Sequence, residues 1–374
     1  MTAGRPDAIV VGAGIVGAAC AAALARDGLR VLVLDAAAPG LGTTAAGMGH
    51  LVVMDDSSEQ LALTTYSVRL WAEQSEQLRA ASELEWCGTV WVAEDETQLD
   101  AVRDKQKAYA NVGVASEVLD ERGLRAVEPN LRAGLAGGLL VPNDGVIYQP
   151  MATVALLGLA KEHGAIVRER TRVDAIVANG VRCGGETISA EIVVNGAGAS
   201  AAALTPRLPV IPRKGHLVIT ERYPGFCRHQ IVELGYLTSA HVMSGESVAF
   251  NVQPRITGQI LIGSSRELVG WDASVNRRVV ARMVERACAF IPGLADLTAV
   301  RTWTGFRPAT PDKLPLIGAW PDTPGLWIAA GHEGLGITTS LGTAAILADL
   351  VGGRPPAIDA APFAPDRAAM AEAH

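Results

Sequence analysis

The chain has 374 residues, 49% of them hydrophobic and 19% charged, which is the balance of a folded globular protein and excludes a disordered one. The formal net charge is −7, and lysine and arginine form no basic block, so no nucleic-acid partner is expected. The cysteines Cys20, Cys87, Cys183, Cys227 and Cys288 are odd in number and include no CxxC pair, which argues against a disulfide framework or zinc ribbon and predicts reduced thiols, a cytoplasmic protein and no metal site.

Residues 8–25 form an uncharged run long enough to raise the question of a membrane span. Asp7 opens it, a basic leader is missing, and three glycines punctuate it, so a different logic applies. Ile9–Val11 reads as a buried parallel strand. The glycines Gly12-x-Gly14-x-x-Gly17 follow, then an alanine-rich helix to about Arg26 and a second buried strand from Arg30 to Leu34 that ends on Asp35. Gly12 permits a tight turn, Gly14 lets backbone approach a pyrophosphate, and Gly17 lets helix and strand pack closely. Ile15 and Val16 lie in the first helical turn, where unpaired N–H groups and the helix dipole favour phosphate. Asp35 is placed to accept ribose hydroxyls. Strand, glycines, helix, strand and acid arrive in the order that dinucleotide binding requires. This segment alone leaves NAD and FAD both open.

Beyond it comes TTAAGMGH at 43–50, a small-residue stretch. Periodicity predicts a helix over Glu59–Ala80, a strand over Cys87–Ala93, a helix over Glu96–Asn111, a strand over Leu135–Val141 and a helix over Met151–His163. Glu191–Val194 reads as a buried strand running into Asn195-Gly-Ala-Gly-Ala-Ser200, where Gly196 and Gly198 offer another backbone approach to a cofactor. Residues 215–304 carry several amphipathic strands, then a helix near Val275–Phe290. A strand at Trp327–Ala330, glycines at Gly331, Gly334 and Gly336, and a helix to about Leu350 close the chain. Nucleotide-type elements thus sit at the start, middle and end. The expected fold class is α/β (α+β overall): a discontinuous Rossmann-like domain (1–85, 143–214 and 300–374) with an inserted antiparallel-sheet substrate domain (86–142 and 215–299).

Three segments together resemble the D-amino acid oxidase family of FAD enzymes: GAGIVG with Asp35, VVNGAGAS at 193–200, and TGFRPATPDKLPLIG with GLWIAAGHEGLGITTS at 304–340. The resemblance covers nearly the whole chain. It implies FAD as cofactor and a small amino or imino acid as substrate, oxidised by hydride transfer to the flavin. It implies that Arg307 holds the substrate carboxylate, a task suited to a planar guanidinium. It places Thr43, Thr44, Gly47 and Met48 along the flavin, and puts the turn of Gly331, Gly334, Leu335, Gly336 and Ile337 at the start of a last helix whose N–H groups face the pyrimidine ring. His50, His332 and Glu333 fall beside the flavin and are candidate catalytic residues. TTAAGMGHLVVMDDS is further similar to bacterial dehydrogenases acting on D-hydroxyproline or D-proline. Asn251 and Tyr148 are secondary candidates for the substrate pocket.

Oxygen-using sarcosine-oxidase-like members place a lysine over the flavin, and this chain has none from Gly215 to Asp312, which leans toward a dehydrogenase. The electron acceptor is not assigned; homo-oligomers, electron-transfer partner subunits and peripheral membrane association stay open. The rivals are a glycine or D-amino acid oxidase, an NAD enzyme, and a flavin-holding subunit of a larger amine dehydrogenase.

Overall fold

The computed structural model describes residues 4–235 and 246–367; the ends of the outer expected segments, 1–3 and 368–374, lie outside the described residues. Strand β1 (Ala8–Val11), helix α1 (Ile15–Arg26) and strand β2 (Val31–Leu34) form the expected first unit, and both strands are buried throughout. β1 pairs in parallel with β2 on one side and with Ile192–Asn195 on the other. The six-stranded sheet runs Leu316–Ala319, Leu326–Ala330, Ile192–Asn195, β1, β2, Ile166–Arg168. Only its first pair is antiparallel among these ladders. Such a sheet must be covered on both faces. On one face α1 packs against the helices Gln149–Glu162 and Ser340–Val351, and its alanines allow that close approach. The small sheet Ala175–Val177, Gly180–Cys183, Glu186–Ser189 is an antiparallel meander.

The eight-stranded sheet runs Ala299–Ala309, Ile211–Arg222, Gln259–Arg266, Ser247–Pro254, Gln230–Glu233, Thr89–Ala93, Gly137–Val141, Glu117–Asp120. It is mixed, because Gln230–Glu233 and Thr89–Ala93 pair in parallel within otherwise antiparallel ladders. The expected boundaries at 214/215 and 299/300 fall inside the strands Ile211–Arg222 and Ala299–Ala309. These strands pair with each other from Ile211↔Ala309 to Thr220↔Ala299, so hydrogen bonding carries the sheet across both.

Helix ends follow local chemistry. Asp95 accepts from Gln98 N–H at 2.8 Å and opens the helix Glu96–Asn111, with the bounds expected from its sequence. Glu59–Ala80, expected as one helix, is two, Ser58–Glu73 and Ser75–Ser82. The Ser75 hydroxyl donates to Ala72 O at 2.7 Å, the kind of local bond that competes with a helical ladder. Apolar spacing runs on through this break, so periodicity alone does not reveal it. The last helix starts at Ser340, and residues 331–339 are turn. Among the described residues no helix is long and apolar enough to cross a membrane.

Candidate active site

A cavity of about 620 Å³ runs from the β1–α1 turn to the eight-stranded sheet, within the size range of small-molecule sites. At its nucleotide end it is walled by Gly12, Gly14, Ile15, Val16 and Asp35, and by Gly196 and Gly198 from the second glycine turn. Backbone forms this wall, and at Gly12 nothing larger fits. Gly12 has φ 103°, and a Cβ there would lie 2.5 Å from Gly196 O; a Cβ on Gly17 would lie 2.0 Å from Gly12 O. Gly17 therefore does not line the cavity and instead lets α1 seat on β1. Asp35 accepts the N–H groups of Ala13 at 2.6 Å and Ala37 at 2.7 Å, which hold its carboxylate at the cavity edge.

The helix Thr43–Ala46 lies along the cavity. Thr44 Oγ1 accepts from Ile15 N–H at 3.1 Å, and Thr43 donates to Phe306 O at 2.8 Å. These bonds tie the stretch to both α1 and the strand Ala299–Ala309. Gly47 and Met48 also line the cavity. Their carbonyls accept from Gln149 Nε2 at 2.8 Å and Gln253 Nε2 at 2.7 Å.

The C-terminal turn brings Glu333, Gly334, Leu335, Gly336 and Ile337 to the cavity. Gly331 does not line it; with φ 79° and a Cβ position 2.5 Å from Thr310 Cγ2, it shapes the turn. Four N–H groups, Gly334 to Ile337, were expected to face the cofactor. Gly334 donates to the Glu333 carboxylate at 2.7 Å and Leu335 donates to His332 O at 3.0 Å, so those two serve the turn itself. Gly336 and Ile337 are the better candidates.

At the substrate end Arg307 lines the cavity and donates to Ser265 O at 2.9 Å. Its guanidinium lies over Gly215, where a Cβ would come 2.3 Å from Nη1. Glu333 sits among arginines, 3.4 Å from Arg213 and 3.7 Å from Arg266. Burial works to raise its pKa, yet Arg266, Arg307 and Arg213 outweigh burial and hold the carboxyl below its usual range. His50 and His332 both line the cavity. Burial pushes His50 down to about 4 and His332 down to about 3. Both are therefore neutral near pH 7, and His332 Nε2 is 2.9 Å from Thr343 Oγ1. As proton carriers at neutral pH they are poorly matched; as uncharged polar groups they fit.

Sequence reasoning missed much of the substrate end. Thr89, Trp91, Leu217, Val232, Ser264, Trp271 and Phe306 line the cavity. TVWVA at 89–93 is buried throughout, so its alternation gives two faces without marking which of them meets the cavity. Asn251 lines the cavity as expected; Tyr148 does not, and lies under the Arg255 guanidinium at 4.6 Å. The lysine-free stretch begins one residue after Lys214. That lysine is buried and lies 3.4 Å from each of Glu267 and Asp272, outside the cavity wall.

A parallel sheet with two glycine turns and an acid after β2, opening onto an arginine-bearing pocket, defines a dinucleotide-dependent oxidoreductase. The chain belongs to the DAO family of FAD dependent oxidoreductases, whose family model matches residues 7–350. It is 30% identical to a glycine oxidase of Geobacillus kaustophilus over 96% of each chain. The crystal structure of that enzyme superposes with a TM-score of 0.87, covering 97% of this chain and 99% of the other. It is 27% identical to the hydrogen cyanide synthase subunit HcnC of Pseudomonas aeruginosa, over 96% of this chain and 95% of that one. A D-amino acid dehydrogenase of Cereibacter sphaeroides is 34% identical over 75% of this chain and 66% of its own. The cofactor is thus FAD and the NAD reading falls away.

Proposed function

We propose that the chain oxidises a small D-amino or imino acid at the carbon next to nitrogen, with D-hydroxyproline or D-proline as first candidates. The observation that carries this reading is Arg307, set in the wall of the same cavity as the nucleotide-end glycines. Arg266, Arg307 and Arg213 all act on the Glu333 carboxylate, and Arg307 is the one of the three in the cavity wall, where a substrate carboxylate could meet it. A two-pronged Arg307 contact would fix the substrate's orientation.

The residues present fit FAD: the glycine wall is a cradle that side chains would fill, and Asp35 stands at its edge. Gly12, Gly14, Ile15, Val16, Gly196 and Gly198 would hold the pyrophosphate, Asp35 the ribose, and Thr43, Thr44, Gly47, Met48, Gly336 and Ile337 the flavin. When bound, FAD supplies the acceptor for a hydride. The protein's part is to orient the substrate, exclude water and keep nearby groups neutral. His50 and His332, neutral through burial, add no positive charge that would hold the substrate amine away. The six-stranded half would serve the cofactor and the eight-stranded half the substrate.

The names of the relatives support an amino acid as substrate, and both an oxidase and a dehydrogenase are among them. The stretch without lysine favours a dehydrogenase with an acceptor other than oxygen. The likeness to HcnC, named as a subunit, keeps a partner subunit as the second reading. The test is anaerobic bleaching of the flavin band by D-amino acids, glycine, sarcosine, D-proline and D-hydroxyproline. Bleaching by one names the substrate, and admitting air separates oxidase from dehydrogenase. A flavin-loaded protein that none of them bleaches would overturn the proposal.

A further inference from the structure

The eight-stranded sheet is interrupted beside Arg307. The strands Ile211–Arg222 and Gln259–Arg266 pair at Val218↔Ile262 and bridge again at Lys214↔Glu267. Between these two pairs lie three residues on the first strand, 215–217, and four on the second, 263–266. That unequal count is a β-bulge, a device that breaks the ladder locally and re-aims what the strand carries. Within the bulge the Ser265 carbonyl accepts from Arg307 Nη1 at 2.9 Å. To reach it, the guanidinium crosses the intervening strand at Gly215, where a Cβ would lie 2.3 Å from Nη1. The arginine in the cavity wall is thus held from a break in the sheet.

A side chain spans that break. His216 is fully buried. Its backbone N–H donates to Ser265 Oγ at 3.0 Å, and its Nδ1 lies 2.9 Å from the same oxygen. On the other side of the ring, Nε2 accepts the backbone N–H of Asn276 at 3.0 Å. A backbone N–H can only donate, so Nε2 keeps its lone pair. Burial holds the imidazole below its ordinary pKa range, with Glu267 pulling the other way. The ring is therefore neutral near pH 7, and its one proton sits on Nδ1. That proton goes to Ser265 Oγ, because Glu267, at 3.5 Å from Nδ1, is the more distant acceptor.

Two bonds from residue 216 thus grip the serine whose carbonyl holds Arg307. A guanidinium is planar, and a two-pronged grip on a carboxylate works only when that plane is aimed. Neither His216 nor Ser265 lines the cavity, so neither meets the substrate itself. Resting on the amino-acid reading above, we infer that His216, as its Nδ1–H tautomer, is a positioning residue that aims Arg307 at the substrate carboxylate through Ser265. A ring outside the cavity then governs how tightly the substrate is held, and Asn276 N–H keeps that ring in the working tautomer.

The test uses the flavin-loaded protein and two carboxylates that cannot be oxidised next to nitrogen, acetate and benzoate. Binding is read as a shift of the flavin band, and anaerobic kcat and KM are read beside it with a dye acceptor. Wild type should bind at least one carboxylate, and Arg307→Ala should lose that binding. His216→Gln keeps an amide near the Nε2 position and nothing polar near Nδ1. It should weaken carboxylate binding about tenfold and raise KM by the same factor, with kcat held. His216→Asn puts an amide near the Nδ1 position and should recover most of that loss. Should His216→Gln not fold, Ser265→Ala, which keeps the carbonyl, carries the same expectation. Unchanged binding in His216→Gln, or equal losses in both His216 variants, would overturn the positioning role and leave Arg307 in place. So would a fall in kcat with KM unmoved. Wild type that binds neither carboxylate, or Arg307→Ala that binds them as wild type does, would instead overturn the amino-acid reading, and the role of His216 with it.

Discussion

The two ends of the cavity are built from different materials. The nucleotide end is backbone: Gly12, Gly14, Gly196 and Gly198 wall the cavity, and a side chain on Gly12 would run into Gly196. The substrate end is side chain, carried on the eight-stranded sheet and rooted in buried charge. Lys105, 4% exposed, reaches Asp55, while Asp144, fully buried, accepts from Val53 N–H at 3.1 Å. A backbone site tolerates almost no change in residue type and announces itself in sequence. A side-chain site can be redrawn position by position while its scaffold stays.

The largest effect should come from the backbone end. Gly17→Val places a branched side chain where even a Cβ would sit 2.0 Å from Gly12 O. Backbone on both sides cannot yield cheaply, and overpacking in such places costs about 1–3 kcal/mol or more. The expected product is insoluble protein or soluble protein without flavin, read as absorbance of the flavin band per chain. Soluble protein with a full flavin complement would break the contrast between the two ends.

What could be read in advance follows the same division. Gly12, Gly14 and Gly17 with Asp35 were legible because a fixed spacing of small residues has one physical use. Arg307 was legible through its surrounding motif and not through any periodicity. Trp91 and Val232 were not, because in a strand buried on both faces alternation gives two faces without saying which of them meets the cavity. The helix break at Gln74 was hidden because apolar spacing runs on through it. The boundaries at 214/215 and 299/300 missed the strands they cut, since a strand's partner lies far away in the chain. The glycines at 331–336 marked the turn before the last helix but not the helix start at Ser340, because the turn spends two of its N–H groups on itself.

The buried charge at the substrate end should make stability depend on pH. Burial pushes the Asp144 carboxyl up to about 7, against 3.8 ordinarily, with the Thr89 hydroxyl, Val53 N–H and Lys105 opposing. Between those values the native state keeps a proton that the unfolded chain has lost. Stability from this group is therefore full at low pH and falls as pH rises through that window, by about 4 kcal/mol in all. His50 and His332 act in the opposite direction. Their folded values lie at about 4 and about 3, below the ordinary 6.5, so the unfolded chain gains protons first and stability falls as pH drops beneath that value. Asp144→Asn removes the first effect and leaves the second. Its urea midpoint should gain on wild type as pH is raised from about 5 to about 8. Parallel curves would mean that Lys105 holds Asp144 ionised in the fold.

Gly215→Ala should act on the substrate end alone and more gently. The added methyl would press on Arg307, 2.3 Å from Nη1 and 2.8 Å from Cζ, and the end of a long side chain can move where backbone cannot. The displaced guanidinium would meet the substrate carboxylate less well. Loss of a charged hydrogen bond worth about 1.5–3 kcal/mol corresponds to a KM about tenfold to a hundredfold higher. Flavin content should hold. Flavin loss in this variant, with KM unmoved, would place the Arg307 wall in the cofactor site and erase the distinction between the ends.

The smallest effect should lie behind the sheet. Asn276 caps the helix Arg277–Phe290, accepting from Val279 N–H at 3.4 Å, and its amide donates to Glu267 at 3.1 Å. Asn276→Ala removes both bonds. Glu267 keeps Lys214 at 3.4 Å, so its charge stays compensated and the cap should dominate, at about 1 kcal/mol. The expected result is a slightly lower urea midpoint with flavin content and substrate preference intact. The same alanine leaves the backbone N–H of residue 276, which donates to His216 Nε2 at 3.0 Å, and so keeps the loop bearing Trp271 tied to the sheet. A substrate preference that shifted in this variant would show that the loop bearing Trp271 shapes the pocket.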